Sequence, residues 1–292
     1  MSRWQHNRPM SRMSSRSLTV KRPKASMAVW PRCDWYNLRF MLRILFSELM
    51  ANTAIIFTLV HYNASFPHSL PIAVPAAGVF GWAVWVCGPI SGPQVTPIVP
   101  VALVIIRHIT IIHALMVVIG QFLGSLFGYL LAWALRPGNH PSVHGTNYGL
   151  TLVNNVTVGQ AFGLEFMAAF WVILAVLATL DEFRPSVWSQ GHITSFYAFF
   201  ALTILWLAAV VGHYTGASIH PFRSLIPAIF SNNYKDVWIY FTAPFVGTIV
   251  AVLIYEMIMS EGASAARIKA WFTDRNFDRH LDYKMVEQED EV

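Results

Sequence analysis

Six stretches, near 38–61, 71–90, 109–135, 160–180, 193–214 and 237–259, run almost free of charge. Each reaches the ~20 residues that an α-helix needs to cross a ~30 Å hydrocarbon core. Charged residues make up 12% of the 292, against ~25% in an ordinary soluble domain. Hydrophobic residues make up 55%. The pattern predicts an all-α membrane protein with six transmembrane helices.

Two further apolar segments break that pattern. They read SGPQVTPIVPVALVI (91–105) and TGASIHPFRSLIPAIF (215–230). Their helical parts, 97–106 and 221–230, would each cover about 15 Å at ~1.5 Å per residue, half of the core. The two segments match each other at Ser91/Thr215, Gly92/Gly216, Val95/Ile219, Pro97/Pro221 and Val101/Leu225. SELMA (Ser47–Ala51) echoes LEFMA (Leu164–Ala168), and QFLGS (Gln121–Ser125) echoes PFVGT (Pro244–Thr248). All three pairs are offset by 117 to 124 residues, so the chain is two similar halves. Each half holds three spans, an odd number, and the second must insert upside down. Matched segments then face each other across a pseudo-twofold axis in the membrane plane.

Irregular backbone survives at membrane depth only where it is buried in protein or lines water. Two re-entrant half-helices entering from opposite sides and meeting at the midplane satisfy that rule. Each would begin with proline just inside the helix. Their N-termini would turn two positive dipole ends toward one spot. The loops leading in, 88–96 and 212–220, would expose backbone carbonyls. A path lined in this way suits a small neutral polar solute and repels cations.

The net charge of +5 is unevenly placed. Residues 1–32 carry Arg3, Arg8, Arg12, Arg16, Lys21, Arg22, Lys24 and Arg32 and no acid. This tail reads as a solvated segment beside anionic lipid rather than as a nucleic-acid-binding arm. The positive-inside rule puts it in the cytoplasm, and six spans return the C-terminus to the same side. The loops after spans one and three contain Arg136 as their sole Lys or Arg, which fits the outside. The first 30 residues lack the apolar run of a cleavable signal peptide. We therefore expect a disordered basic tail over 1–37, a membrane domain over 38–260 and a C-terminal cytoplasmic tail over 261–292. The two repeats would occupy 38–135 and 160–260. Sequons at Asn63 and Asn155 fall in expected outer loops and permit glycosylation. The His and Cys residues show no ligand spacing, so no metal is expected. No nucleophile elbow or phosphate loop is present, so neither a cofactor nor enzyme chemistry is expected.

These segments resemble the aquaporin (major intrinsic protein) family over about 38–260. HYTGASIHPFRSLIPAIF is similar to that family's second half-helix loop, and GPISGPQVTPIVP to its first. The resemblance implies that Glu48 and Glu165 brace the two loops. The family's paired Asn-Pro-Ala motifs read Thr96-Pro97-Ile98 and His220-Pro221-Phe222 in this chain. In the family the two Asn amides donate to the passing solute. Thr96 can cap its helix and bond a solute through its hydroxyl. His220 can donate from one ring nitrogen. The dipole disfavours a second charge there, so neutral His220 is expected near neutral pH, with acidification able to charge it. Ile98 and Phe222 replace small alanines and either narrow the midpoint or pack sideways.

By spacing, the family's selectivity filter would fall at Ala76 or Ala77, Ala208, Ala217 and Arg223. A slip of one turn would bring in Phe80 or His213. Arg223 would exclude cations and protons. Taken literally, the filter is wide, whereas Ser224, Ala228 and the pair Tyr240-Phe241 resemble the water-type pattern. The resemblance implies passive water permeation through each protomer of a plasma-membrane homotetramer. One alternative is a channel for glycerol, urea, ammonia or hydrogen peroxide. Another is a non-conducting adhesion or scaffold protein.

Overall fold

The computed structural model describes residues 35–65, 71–92, 94–136, 148–181, 192–274, 277–279, 281 and 283. The basic tail before residue 35, the acidic C-terminal end and the Asn63 side chain lie outside the described residues. Among those described, every regular element is helical.

Six helices are long and apolar enough to span a membrane. They are α1 (Trp35–Ser65), α2 (Ala73–Ser91), α4 (Ile111–Ala134), α5 (Val158–Leu180), α6 (His192–Thr215) and α8 (Val237–Ile254). Two short ones, α3 (Ile98–Ile105) and α7 (Pro221–Ser231), have 8 and 11 residues. Their lengths match the two expected half-helices.

Local chemistry explains where the short helices begin and end. Pro221 occupies the first turn of α7, where a missing N–H costs no intrahelical bond. His220 is its N-cap, in extended conformation, and the ring accepts from the Arg223 N–H. Asn232 closes α7 in the left-handed region at φ 51°, which a short polar side chain tolerates. α3 starts differently. Pro97 itself is the N-cap, and no side chain caps the helix. The expected Thr96 cap is not made: the helix starts one residue later, and the hydroxyl turns toward the other loop.

Glycine decides how the long helices pack. A Cβ at Gly120 would lie 2.6 Å from the Leu45 carbonyl oxygen of α1, and one at Gly128 would lie 2.6 Å from that of Thr53. Between them, a Cβ at Gly124 would collide with the Leu49 oxygen. α4 therefore lies directly against the α1 backbone, the close approach that small residues permit between membrane helices. The second half repeats this contact. A Cβ at Gly247 of α8 would collide with the Phe166 oxygen of α5. Gly124 and Gly247 belong to one matched pair of sequence motifs, and Leu49 and Phe166 to another. The internal repeat is thus a repeated helix–helix contact.

Beyond α8 the chain makes a π-helical turn, Tyr255–Met259, and then α9, Ala265–Thr273. Glu256 in that turn accepts from Arg267 at 2.8 Å and Arg279 at 2.7 Å. Arg107, in the left-handed region just after α3, donates to the carbonyls of Asp274 and Trp271 at 2.6 and 2.8 Å. Trp271 in turn donates through Nε1 to the Ile105 carbonyl at 3.1 Å. The C-terminal segment is thereby tied to the end of the first half-helix.

Gly124→Leu and Gly247→Leu should each overpack a helix contact that cannot yield, at about 1–3 kcal/mol or more. Thermal unfolding in detergent should begin at lower temperature for both. Gly78→Ala, whose Cβ would meet nothing within 4 Å, should leave the transition in place.

Candidate functional site

The loops that carry the half-helices need unusual backbone. Gly92 and Gly216 have φ of 76° and 84°, which glycine adopts without strain. Val95 and Ile219 have φ of 46° and 47°. For β-branched residues this left-handed conformation costs about 1–3 kcal/mol each. Ala217 is also left-handed, at φ 42°.

Two buried carboxyls hold these strained turns. Oε2 of Glu48 accepts from the Val95 N–H at 3.1 Å and from Gln121 Nε2 at 2.9 Å. Its Oε1 accepts from Ser91 Oγ at 2.7 Å. Glu165 does the same in the other half. Its Oε2 accepts from the Ile219 N–H at 2.9 Å. Its Oε1 accepts from the Ser218 N–H at 2.9 Å and from Thr215 Oγ1 at 2.6 Å. Ser91 and Thr215, like Val95 and Ile219, are matched positions of the repeat. Each carboxyl satisfies donors that would cost about 1–3 kcal/mol apiece if buried without a partner.

The two loops meet at one hydrogen bond. Thr96 Oγ1 donates to the Ile219 carbonyl at 2.7 Å. Its hydroxyl is turned toward the other loop, and its own helix begins one residue later, with Pro97 as N-cap and no side-chain cap.

His220 is buried, and both ring nitrogens are engaged. Nδ1 accepts from the Arg223 N–H at 3.3 Å, and Nε2 lies 2.6 Å from Asn52 Oδ1. The ring donor expected to meet a solute is therefore turned into the protein. Asn52 did not stand out in the sequence reading. A lone amide one turn after Glu48 inside an apolar span was the available signal, since polar groups at membrane depth are functional by default.

The bulky replacements do not line the cavity on this side of the crossing. Ile98 is fully buried in the core. Phe222 packs sideways, edge-on to Phe122 of α4 with centroids 5.3 Å apart. The cavity lies toward the ends of α1 and α6 and is lined by Ala76, Phe80, Ala208, Ala217, Thr96 and Arg223, among others. Ala76, Ala208, Ala217 and Arg223, the positions expected from the resemblance, thus line one space. Ala77 is buried but does not line it, and His213 is exposed away from it. Phe80 lines it together with Ala76, one turn apart on the same face of α2. Phe200 of α6 also lines it, with its ring centroid 6.2 Å from that of Phe80.

Arg223 is buried, and its Nη1 has no hydrogen-bond partner among the described residues. Gly216 packs closely on Thr151, where a Cβ would stand 3.2 Å from the Thr151 Cγ2. The residues of the water-type pattern support the loop instead. Ser224 Oγ bonds Ser218 Oγ at 2.7 Å, and Tyr240 donates to the Thr215 carbonyl at 2.8 Å. Asn155 is exposed, in the left-handed region at φ 56°.

Comparison with known proteins agrees with this arrangement. The family model "Major intrinsic protein" matches residues 35–255. Aquaporin-2 of Bos taurus is 30% identical over 221 residues, covering 74% of this chain and 79% of that one. Aquaporin-1 of Sus scrofa is 32% identical over 198 residues, covering 67% and 70%. The X-ray structure of the aquaglyceroporin from Plasmodium falciparum superposes with a TM-score of 0.68 at 19% identity, covering 75% of this chain and 97% of that one. Two inverted halves, each with a carboxyl-braced half-helix, and a family match across the whole membrane region make this chain a member of the major intrinsic protein family.

Proposed function

We propose that the chain is a passive membrane channel for small uncharged solutes, water among them, with one route through each protomer. The observation that carries this reading is the cavity bounded by Ala76, Ala208, Ala217 and Arg223 and closed at depth by Thr96. Three of those side chains are methyl groups, so the wall is apolar and yields width. Arg223 supplies a donor, Nη1, that no atom of the described residues uses. A solute that presents a hydroxyl to Arg223 and an apolar edge to the alanines fits this lining. A cation does not, because the guanidinium repels it where little water screens the charge.

A water-selective reading has its own support. Phe80 and Phe200 line the same cavity, and their rings lie close enough to narrow it. In either reading the protein catalyses no bond making or breaking. The reading extends to a homotetramer in the plasma membrane with both termini cytoplasmic, which puts the cavity on the outer side and Asn155 in a glycosylatable loop. Pro97, Ile98, Pro221 and Phe222 set the geometry of the midpoint, while Glu48 and Glu165 keep the half-helices in place.

Stopped-flow shrinkage of proteoliposomes tests the reading. Water and glycerol fluxes should both exceed those of empty liposomes. Water flux without glycerol flux would select the water-only reading. Background flux for both, with folded protein in the bilayer, would overturn the channel and leave a scaffold.

Two substitutions test the cavity itself. Ala208→Trp should lower glycerol flux at least about tenfold, equivalent to ~1.4 kcal/mol of added barrier, and water flux less. Arg223→Val should raise proton or cation leak while the protein still folds.

A further inference from the structure

We propose that Asn52 is a positioning residue that holds His220 as the neutral Nε2–H tautomer and removes its ring donor from the solute path. The inference deepens the channel reading and rests on it.

The tautomer follows from the partners. Asn52 Nδ2 donates to the Glu48 carbonyl one turn back in α1, at 3.0 Å. That bond settles which end of the amide is oxygen, since the flipped amide would set two acceptors against each other. The atom facing His220 is then Oδ1, which can only accept, so Nε2 carries the proton at 2.6 Å. Nδ1 accepts the Arg223 N–H and is bare. Both groups are fully buried, and they join α1 to the second half-helix. α4 packs close against Asn52, since a Cβ at Gly124 would lie 2.9 Å from the Asn52 Cβ.

This lock makes protonation costly. A proton on Nδ1 would face the Arg223 N–H, remove the cap of α7, and place a second cation one turn from the Arg223 guanidinium. The ionisable groups on the elements packed around the ring are Glu48 at the middle of α1, exposed Arg39 and Arg43 toward its start and half-buried His61 and Tyr62 toward its end, His113 and Tyr129 on α4, Glu165 on α5 and Tyr240 on α8. Glu48 and Glu165 spend their oxygens on Ser91, Val95, Gln121, Thr215, Ser218 and Ile219. The ring donates from Nε2 to Asn52 Oδ1 and accepts at Nδ1 from the Arg223 N–H. The Thr96 hydroxyl proton goes to Ile219 O, so Thr96 meets the cavity with lone pairs. The midplane side chains are therefore uncharged and, on the cavity side, acceptors.

Flux against pH and the tautomer of the ring decide the matter. Flux through the natural protein should stay flat from about pH 8 to about pH 5, the range in which an ordinary histidine titrates. Asn52→Asp replaces the amide with a carboxylate that favours the imidazolium, so flux should fall by about threefold or more over that range. The double variant Asn52→Asp/His220→Asn should lose that dependence. Independently of flux, solid-state NMR of histidine-labelled protein in bilayers reads the tautomer, with His220 assigned by its loss in His220→Asn. A bare Nδ1 and a protonated Nε2, unchanged across the same range, are expected. Asn52→Leu should convert this to a mixture.

A titrating His220 or a protonated Nδ1 in the natural protein overturns the proposal. So does a flat profile in folded Asn52→Asp whose flux exceeds that of empty liposomes, or a pH dependence that survives in the double variant. Liposomes that pass neither water nor glycerol would sink the channel reading alone, because the ring spectra report the lock without any flux.

Discussion

A carboxyl group fixed by a loop's own N–H is the interaction on which the rest of this molecule depends. A backbone broken inside a bilayer leaves donors that nothing in the hydrocarbon can satisfy. Glu48 and Glu165 each collect such donors from one loop. They also hold Val95 and Ile219 in a left-handed conformation that β-branched residues otherwise avoid. That turn aims each short helix inward. Without it, α3 and α7 have no reason to stop half-way, and the cavity beside Thr96 and Arg223 has no floor.

The long helices make this bracing possible. Glu48 reaches Val95 because α1 lies between α2 and α4, and α4 comes near enough for Gln121 to share the same carboxyl oxygen. That nearness is set by Gly120, Gly124 and Gly128 against carbonyls of α1. In the other half, Gly247 performs the same service for α5. The repeat therefore conserves a mechanical unit of two close-packed helices, a buried carboxyl and a strained turn.

The midpoint shows how altered motifs can keep this frame. Histidine at 220 retains the capping function through Nδ1, and the asparagine it would otherwise resemble sits across from it, on α1, as Asn52. Threonine at 96 gives up capping and ties one half-helix loop to the other. Phe222 finds room against Phe122 rather than in the cavity. Each bulky or ionisable side chain at the crossing is thereby accounted for by a partner in another element.

The sequence by itself determined the spans, the two short helices, the repeat and the glutamates, because each follows from local chemistry. Hydrophobic length, proline punctuation and matched spacing do not depend on which segments become neighbours. Arg223 and Ala217 were legible for the same reason, being within a few residues of the motif that positions them. Only the tertiary structure decided where the midpoint side chains point. The Thr96 hydroxyl could have capped its helix or met a solute, and the His220 ring had two possible tautomers. Their choices came from Ile219 and Asn52, more than 120 residues away in sequence. The choice between Ala76 and Ala77 likewise waited on which face of α2 meets the cavity. A hydrogen bond between distant elements is settled by geometry that no single segment encodes, and for that reason the frame could be read in advance and the chemistry at its centre could not.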